Sequence, residues 1–260
     1  MKPEEIVEIA RNPKRPKITD YIDYLLTDFF EQKGDYLSGE DESIMGGIGL
    51  FHDMPVTVIG HHKGSNLNEN VKYNFGMPNP QGYRKAYRLM KQAEKFNRPV
   101  ITFIDTPGAY PGLEAEANGQ ANAIAANLAM MSTLKVPVIA IVTGEGNSGG
   151  ALAIGVANTV AMMENAFYAV LSPEGFASIL WKDASKKKEA AAVMKLTAED
   201  LLEHGVIDEI IVEPEGGAHL DPETAMKNVD DFLVNELLKY RKMKPEQLAA
   251  HRYEKFRNIS

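Results

Sequence analysis

The 260 residues contain no cysteine. That excludes disulfides, cysteine-ligated zinc, iron–sulfur clusters and a thiol nucleophile together, and an intracellular location is the simplest expectation. Positive charge is scarce as well: 28 Lys and Arg face 36 Asp and Glu, a formal charge of −8. Nucleic acid is thereby excluded as the main partner, because phosphate binding needs a net or clustered positive field. Long apolar runs are missing. The uncharged windows Ala117–Leu134 and Gly146–Met163 are interrupted by Asn, Gln, Ser, Thr or Gly, whereas a spanning helix needs about 20 mostly apolar residues, so no membrane partner is expected. The opening MKPEEIVEIARNPKRPK lacks the continuous apolar stretch of a secretory signal. What remains is ordinary globular composition, 44% hydrophobic and 25% charged, in a chain long enough to bury a sizeable core.

The pattern along the chain predicts an α/β fold: an N-terminal helical segment over residues 1–40, one continuous domain over 41–240, and a charged, peripheral tail over 241–260. The basic stretch Arg11–Lys17 reads as a solvated loop, or as a docking surface for an acidic partner. Thr19 or Asp20 is placed to cap a helix before the aromatic-rich Asp20–Phe30. Ile44–Phe51 and Val56–Gly60, joined by His52-Asp53-Met54-Pro55, predict a hairpin, and Lys63–Pro80 a long loop. Tyr83, Ala86, Tyr87, Met90 and Ala93 recur at helical spacing, giving an amphipathic helix that ends near Arg98-Pro99.

A strand, a glycine-bearing turn and a helix then follow one another twice. Val100–Ile104 leads into DTPGAYPG (Asp105–Gly112) and an Ala-rich helix to Leu134. Val138–Thr143 leads into GEGNSGG (Gly144–Gly150) and a short helix beginning at Ala151. Phe167–Ser172 and Ile207–Val212 are expected strands, and Pro173–Trp181 a helix with Pro at its first position. Thr197 and Asp200 predict a capping box for a helix ending at His204-Gly205. Asp221-Pro222 opens a final long helix.

Four glycines in GEGNSGG let backbone N–H groups converge on one point, reinforced by the helix start at Ala151, which suits an oxyanion or a phosphate. Close strand–helix packing is the alternative explanation of the same glycines. No Lys-Ser/Thr pair comes after the last of them, so this is not a Walker loop. Gly146-Asn147-Ser148-Gly149-Gly150 also matches G-x-S-x-G, for which Asp183 or Asp208 and His204 or His219 are the available triad partners. Ser148 lies five residues beyond Thr143, however, a poor fit to a nucleophile turn straight off a strand. His61 and His62 are adjacent, so they point to opposite faces and read as exposed loop residues rather than ligands of one metal. Lys63 could contact an anionic substrate, and Lys186-Lys187-Lys188 reads as a solvated helix face. DTPGAYPG holds Gly108, Ala109 and Tyr110 in a rigid turn at the carboxyl end of its strand, where parallel α/β sheets bind ligands. Two such turns facing one crevice amount to a binding site.

GYRKAYRLMKQAEKFNRPVITFIDTPGAYPG, GEGNSGGALAIG, SPEGFASILWK and EPEGGAH, in that order, resemble the alpha subunit of bacterial acetyl-coenzyme A carboxylase carboxyltransferase. The similarity runs from about Ile6 to about Val229 and is densest from Met45 to His219. The resemblance implies a crotonase-like spiral of strand–strand–helix (ββα) units. It implies a transferase that moves the carboxyl group of carboxybiotin, borne on a biotin carboxyl carrier protein, to acetyl-coenzyme A, giving malonyl-coenzyme A for fatty-acid biosynthesis in the cytoplasm. It implies an α2β2 assembly within a complex that also holds biotin carboxylase, with zinc and most acetyl-coenzyme A contacts on the beta subunit. Gly149 and Gly150 match the family's backbone oxyanion donors, while Gly108, Ala109, Tyr110, Gly146, Asn147 and Ser148 fall on the carboxybiotin crevice. Two departures stand out. Asn147 replaces a glycine usual in the loop, where Asn's tolerance of positive φ keeps the shape, and the amino end is shorter than in many members. The rivals are a stand-alone crotonase-like hydratase or serine hydrolase using Ser148 or Glu145, and a non-catalytic partner subunit.

Overall fold

The computed structural model describes residues 1–259. Its strands are β1 (Thr27–Glu31), β2 (Ile44–Phe51), β3 (Met54–His61), β4 (Val100–Thr106), β5 (Val138–Asn147), β6 (Thr159–Met163), β7 (Phe167–Ala169) and β8 (Glu209–Ile211). The helices are α1 (Pro3–Ala10), α2 (Ile18–Leu25), α3 (Leu67–Lys72), α4 (Pro80–Lys95), α5 (Leu113–Ala117), α6 (Gln120–Thr133), α7 (Ser148–Leu152), α8 (Pro173–Trp181), α9 (Lys187–Val193), α10 (Ala198–Glu203), α11 (Pro222–Tyr240) and α12 (Pro245–Arg257).

One mixed sheet runs β1-β2-β3-β4-β5-β6-β8, antiparallel up to β3 and parallel from there on. The predicted hairpin is present. His52 and Asp53, both at positive φ, make a two-residue turn whose twist matches that of its strands. β4 and β5 are buried along their whole length and carry near-continuous apolar runs, as strands covered on both faces do. β5 is long enough to have two partners on one side. Its Ile139–Val142 part pairs with β6, and its Glu145–Asn147 end pairs with β7. That carries the end of β5 past the main sheet, toward α8.

Local chemistry explains most departures from expectation. Asp20 sits in the first turn of α2, where it accepts the Lys17 N–H at 2.6 Å, so it closes the turn from inside rather than preceding it. The chain after Leu25 becomes edge strand β1, not more helix. Lys63–Pro80 is not a bare loop: Asn66 caps α3 through the Glu69 N–H at 3.0 Å. Gly119, at φ 85°, splits the Ala-rich segment into α5 and α6. Strand β6, which the sequence pattern does not single out, follows α7 after a turn at Ala153–Gly155. Thr197 caps α10 as expected, with its hydroxyl 2.7 Å from the Asp200 carboxylate. The charged tail folds as α12, whose Leu248 and Arg252 are buried, so it is not peripheral. No helix among the described residues is long and apolar enough to cross a membrane.

Candidate active site

GEGNSGG is not a loop. Gly144–Asn147 continue β5, and Ser148 opens α7 with φ 58°. Two of its glycines serve packing: a Cβ on Gly144 would lie 2.5 Å from the Asp105 carboxylate, and one on Gly146 3.1 Å from the Tyr168 ring. A Cβ on Gly150 would lie 2.4 Å from the Ala109 nitrogen, so Gly150 is seated directly on the Gly108–Ala109 peptide. Only Gly149 has ordinary space, with Ile124 the nearest at 3.7 Å. Asn147 keeps extended backbone, φ −121°, so it is Ser148, not Asn147, that takes the left-handed conformation.

The two predicted turns do meet. Gly108, at φ 137°, donates its N–H to Thr106 Oγ1 at 3.0 Å, and a Cβ on it would lie 3.8 Å from the Ser148 side chain. Tyr110 marks the far end of this turn, where its N–H reaches Pro78 O at 3.0 Å and its carbonyl takes Gln120 Nε2 at 3.0 Å. α7 is five residues long and starts at Ser148 rather than Ala151, so its dipole adds little. Its first-turn amides matter more. The opening N–H groups of a helix have no acceptor within it, and among the described residues none accepts from Gly149 or Gly150.

Beside Gly149 lies a cavity of about 820 Å³, walled by Ser148, Gly149, Leu152, Tyr168, Val170, Phe176, Val193 and Met194, while Gly150 is buried behind that wall. The sequence did not mark this apolar wall, although SPEGFASILWK, which supplies α8, was its visible trace. A second cavity of about 850 Å³ lies at the other end of the sheet, where Pro99 and Pro137 precede β4 and β5. Ligands in parallel α/β sheets bind outside the carboxyl ends, which selects the first.

Beneath the turns is an ion network that sequence reasoning missed. Lys63 Nζ reaches Asp105 Oδ1 at 3.1 Å and Glu145 Oε1 at 2.8 Å. It is therefore committed to two carboxylates and is not free for substrate. Burial works to raise the Asp105 carboxyl, but Lys63 and Lys17 outweigh it and hold it below the usual range. Arg11 Nε adds 2.8 Å to Glu145 Oε2, and its Nη1 reaches Glu174 of α8 at 2.9 Å. Arg15 grips Glu213 at 2.7 and 2.8 Å and donates to Thr143 O at 2.8 Å. Arg15 and Lys17 are buried, so this basic stretch is not a solvated loop throughout; its two arginines are matched inside and only Lys14 is an exposed cation. His61 and His62 are also buried rather than exposed, and His62 stacks on Tyr73 with centroids 3.6 Å apart.

Ser148 comes directly off its strand at positive φ, so the sequence-spacing objection to a nucleophile turn falls away. The hydrolase fails for a different reason. His204 ends α10, His219 packs by Gly217, Asp183 binds Ser185 and Asp208 binds Lys255. No histidine among the described residues hydrogen-bonds Ser148, and Glu145 is enclosed by Arg11 and Lys63.

The profile of the acetyl co-enzyme A carboxylase carboxyltransferase-like family matches residues 1–260. The chain is 57% identical over 259 residues to the acetyl-coenzyme A carboxylase carboxyl transferase subunit alpha of Anoxybacillus flavithermus, covering 100% of this chain and 80% of that protein. The Clostridium botulinum (Eklund 17B) subunit of the same name is 57% identical over 257 residues, 99% of this chain and 94% of that protein. Among solved structures, transcarboxylase 12S superposes with a TM-score of 0.73 at 19% identity, over 92% of this chain and 45% of that one. A Pseudomonas malonate decarboxylase hetero-tetramer in complex with coenzyme A gives 0.67 at 15% identity, over 83% and 86%. At these identities the structures speak for the fold, which is crotonase-like. By its sequence, matched from end to end, the chain belongs to the acetyl-coenzyme A carboxylase carboxyltransferase family.

Proposed function

We propose that this chain is the alpha subunit of an acetyl-coenzyme A carboxylase carboxyltransferase. It would transfer the carboxyl group of carboxybiotin, presented by a biotin carboxyl carrier protein, to acetyl-coenzyme A, giving malonyl-coenzyme A for fatty-acid synthesis. The observation that carries this is the pair of free amides at Gly149 and Gly150, the first of them on the wall of a largely apolar cavity, in a chain of this family. That wall suits biotin, a compact, mostly apolar bicycle with one strong acceptor oxygen.

Carboxybiotin supplies the carboxyl group, and negative charge collects on its ureido oxygen as that group leaves. Gly149 and Gly150 would donate toward this oxygen. Backbone amides fixed at a strand–helix junction need no reorganisation when the charge appears, and the part-buried Tyr168 and Phe176 would exclude water that weakens them. Gly108 and Ala109 support Gly150 from behind. No side chain here is free to take up the proton lost from the acetyl methyl, since Asp105 and Glu145 are occupied by Lys63 and Arg11. That proton would pass to the biotin ureido group that has given up its carboxyl. The acetyl-coenzyme A site and a cysteine-bound zinc would belong to a beta subunit, in an α2β2 assembly working with biotin carboxylase.

The test is co-expression with a beta subunit. The isolated chain should form no more than trace malonyl-coenzyme A from carboxybiotin, and activity should appear on addition of the beta partner. Full activity from the isolated chain would overturn the two-subunit reading.

A further inference from the structure

The β4–β5 ladder is broken just below the site. Ile104 pairs with Val142 but Thr106 pairs with Gly146, so β5 advances four residues while β4 advances two. Such bulges leave backbone groups unpaired and re-aim the residues beyond them. Here side chains take over. Arg15 caps Thr143 O at 2.8 Å, and the Glu145 N–H goes to the Asp105 carboxylate at 3.1 Å in place of a backbone carbonyl. On its β4 side the ladder therefore does not hold β5 from Thr143 to Glu145. β7 pairs with Glu145–Asn147 on the other side, so how the β5 end and Ser148–Gly150 sit against β4 is left to these side chains.

Lys63 lies two residues beyond the end of β3, and the sheet order is β3-β4-β5. Its ammonium reaches sideways across the carboxyl ends of both neighbours, to Asp105 on β4 and Glu145 on β5. Asp105 heads the turn that carries Gly108 and Ala109, and Glu145 precedes the turn that carries Gly149 and Gly150. Gly150 rests on the Gly108–Ala109 peptide with no room for a methyl, so a small relative shift of the two strand ends would part them or drive them together.

We propose that Lys63 is a positioning residue for carboxyl transfer: by bridging Asp105 and Glu145 across the bulge it holds the Gly108–Ala109 and Ser148–Gly150 turns in contact and aims the amides of Gly149 and Gly150. This rests on the oxyanion role given to those amides above. A role in charge balance alone makes a different prediction. Asp105 and Glu145 carry two negative charges against Lys63 and Arg11, so removing Lys63 alone would leave a buried charge unmatched and destabilise the fold. Lys63→Met combined with Glu145→Gln removes one charge of each sign, leaving Arg11 to Glu174 and Lys17 facing Asp105, but deletes the bridge.

The experiment uses the assembled enzyme with its beta subunit, with melting temperature and sizing checked for each variant. In K63M/E145Q we expect kcat to fall at least tenfold, with KM for acetyl-coenzyme A within about twofold of wild type. K63R, which can keep the carboxylate contacts, should recover most of kcat. Wild-type kcat in the assembled double variant would overturn the proposal and leave Lys63 as a charge-balancing group. Should the double variant fail to assemble, K63Q decides: its amide is a neutral donor one bond shorter than the lysine and cannot span both carboxylates, so kcat below a third of wild type at unchanged KM supports the bridge, while wild-type kcat overturns it. Gly149→Pro is measured alongside. If that variant turns over normally, the oxyanion reading itself has failed; if it is impaired while K63M/E145Q is not, only the role of Lys63 has.

Discussion

Gly149 and Gly150 are neighbours in sequence, yet they admit different experiments because of what surrounds each missing Cβ. At Gly150 a methyl would meet the Ala109 nitrogen at 2.4 Å, so alanine there disrupts packing and says nothing about the amide. At Gly149 a methyl meets only Ile124 at 3.7 Å, so Gly149→Ala keeps the N–H in an ordinary contact and is expected to hold kcat within about threefold of wild type, or roughly 0.7 kcal/mol of barrier. Gly149→Pro removes the N–H. If that amide stabilises charge in the transition state, kcat should drop by on the order of 10²–10³. Proline also disfavours the φ of 58° at Ser148 before it, so assembly with the beta subunit must be verified. Near-normal kcat in both assembled variants would place the donor elsewhere.

The elements were legible in the sequence wherever local chemistry decides them. Pro173 marks the start of α8 unaided, as Thr197 does for α10, and the period of Tyr83–Ala93 gives α4; Ser172, expected in a strand, instead caps α8 through the Gly175 N–H. Where tertiary context decides, the sequence misled. Gly144 and Gly146 looked like loop glycines but lie in β5, because Asp105 and Tyr168 press against that strand. The basic stretch from Arg11 to Lys17 looked solvated because its partners Glu145, Glu174 and Glu213 are more than 130 residues away. The pairing of the two glycine-bearing turns was legible; the bulge and the Lys63 bridge were not, since neither leaves a local pattern. Helix α12 is another such case. Arg252 is fully buried, with Nη1 on Asn158 Oδ1 at 2.6 Å and Val136 O at 3.2 Å, while Nε and Nη2 have no partner among the described residues. Burial pushes its pKa down to about 10. A charge half satisfied in this way contributes little net stability, so Arg252→Met, which keeps the volume, is expected to change unfolding free energy by no more than about 1 kcal/mol. Arg252→Ala should cost about 2–4 kcal/mol through the cavity it opens. Urea unfolding of both variants checks this, and a large loss in the methionine variant would show that the two hydrogen bonds anchor the helix.

For the molecule as a whole, burial of charge makes stability depend on acidity in two stages. His61 and His62 are both pushed by burial to about 4 from 6.5. Asp105 and Lys63 face His61, and Lys72, Glu42 and Glu69 surround His62. Between these two values the unfolded chain binds protons that the folded chain refuses, so stability is whole above about pH 6.5 and falls as the pH drops toward 4. Asp105 and Glu213 behave oppositely in origin. Burial works to raise them, but Lys63 and Lys17 in one case and Arg15 in the other hold them low. Their contribution is present above the ordinary carboxylate range and disappears only as the pH falls through their depressed folded values. The first stage therefore belongs to the histidines. From pH 7 to pH 5, before the carboxylates titrate, we expect unfolding free energy to fall by on the order of 1–2 kcal/mol for each histidine. Urea titrations at the two pH values measure it. His62→Gln should remove a large share of the difference, and the double change with His61→Gln most of it, with the remainder left to His251, which burial also shifts down. If His62→Gln keeps the full wild-type difference, the acid sensitivity arises in other groups.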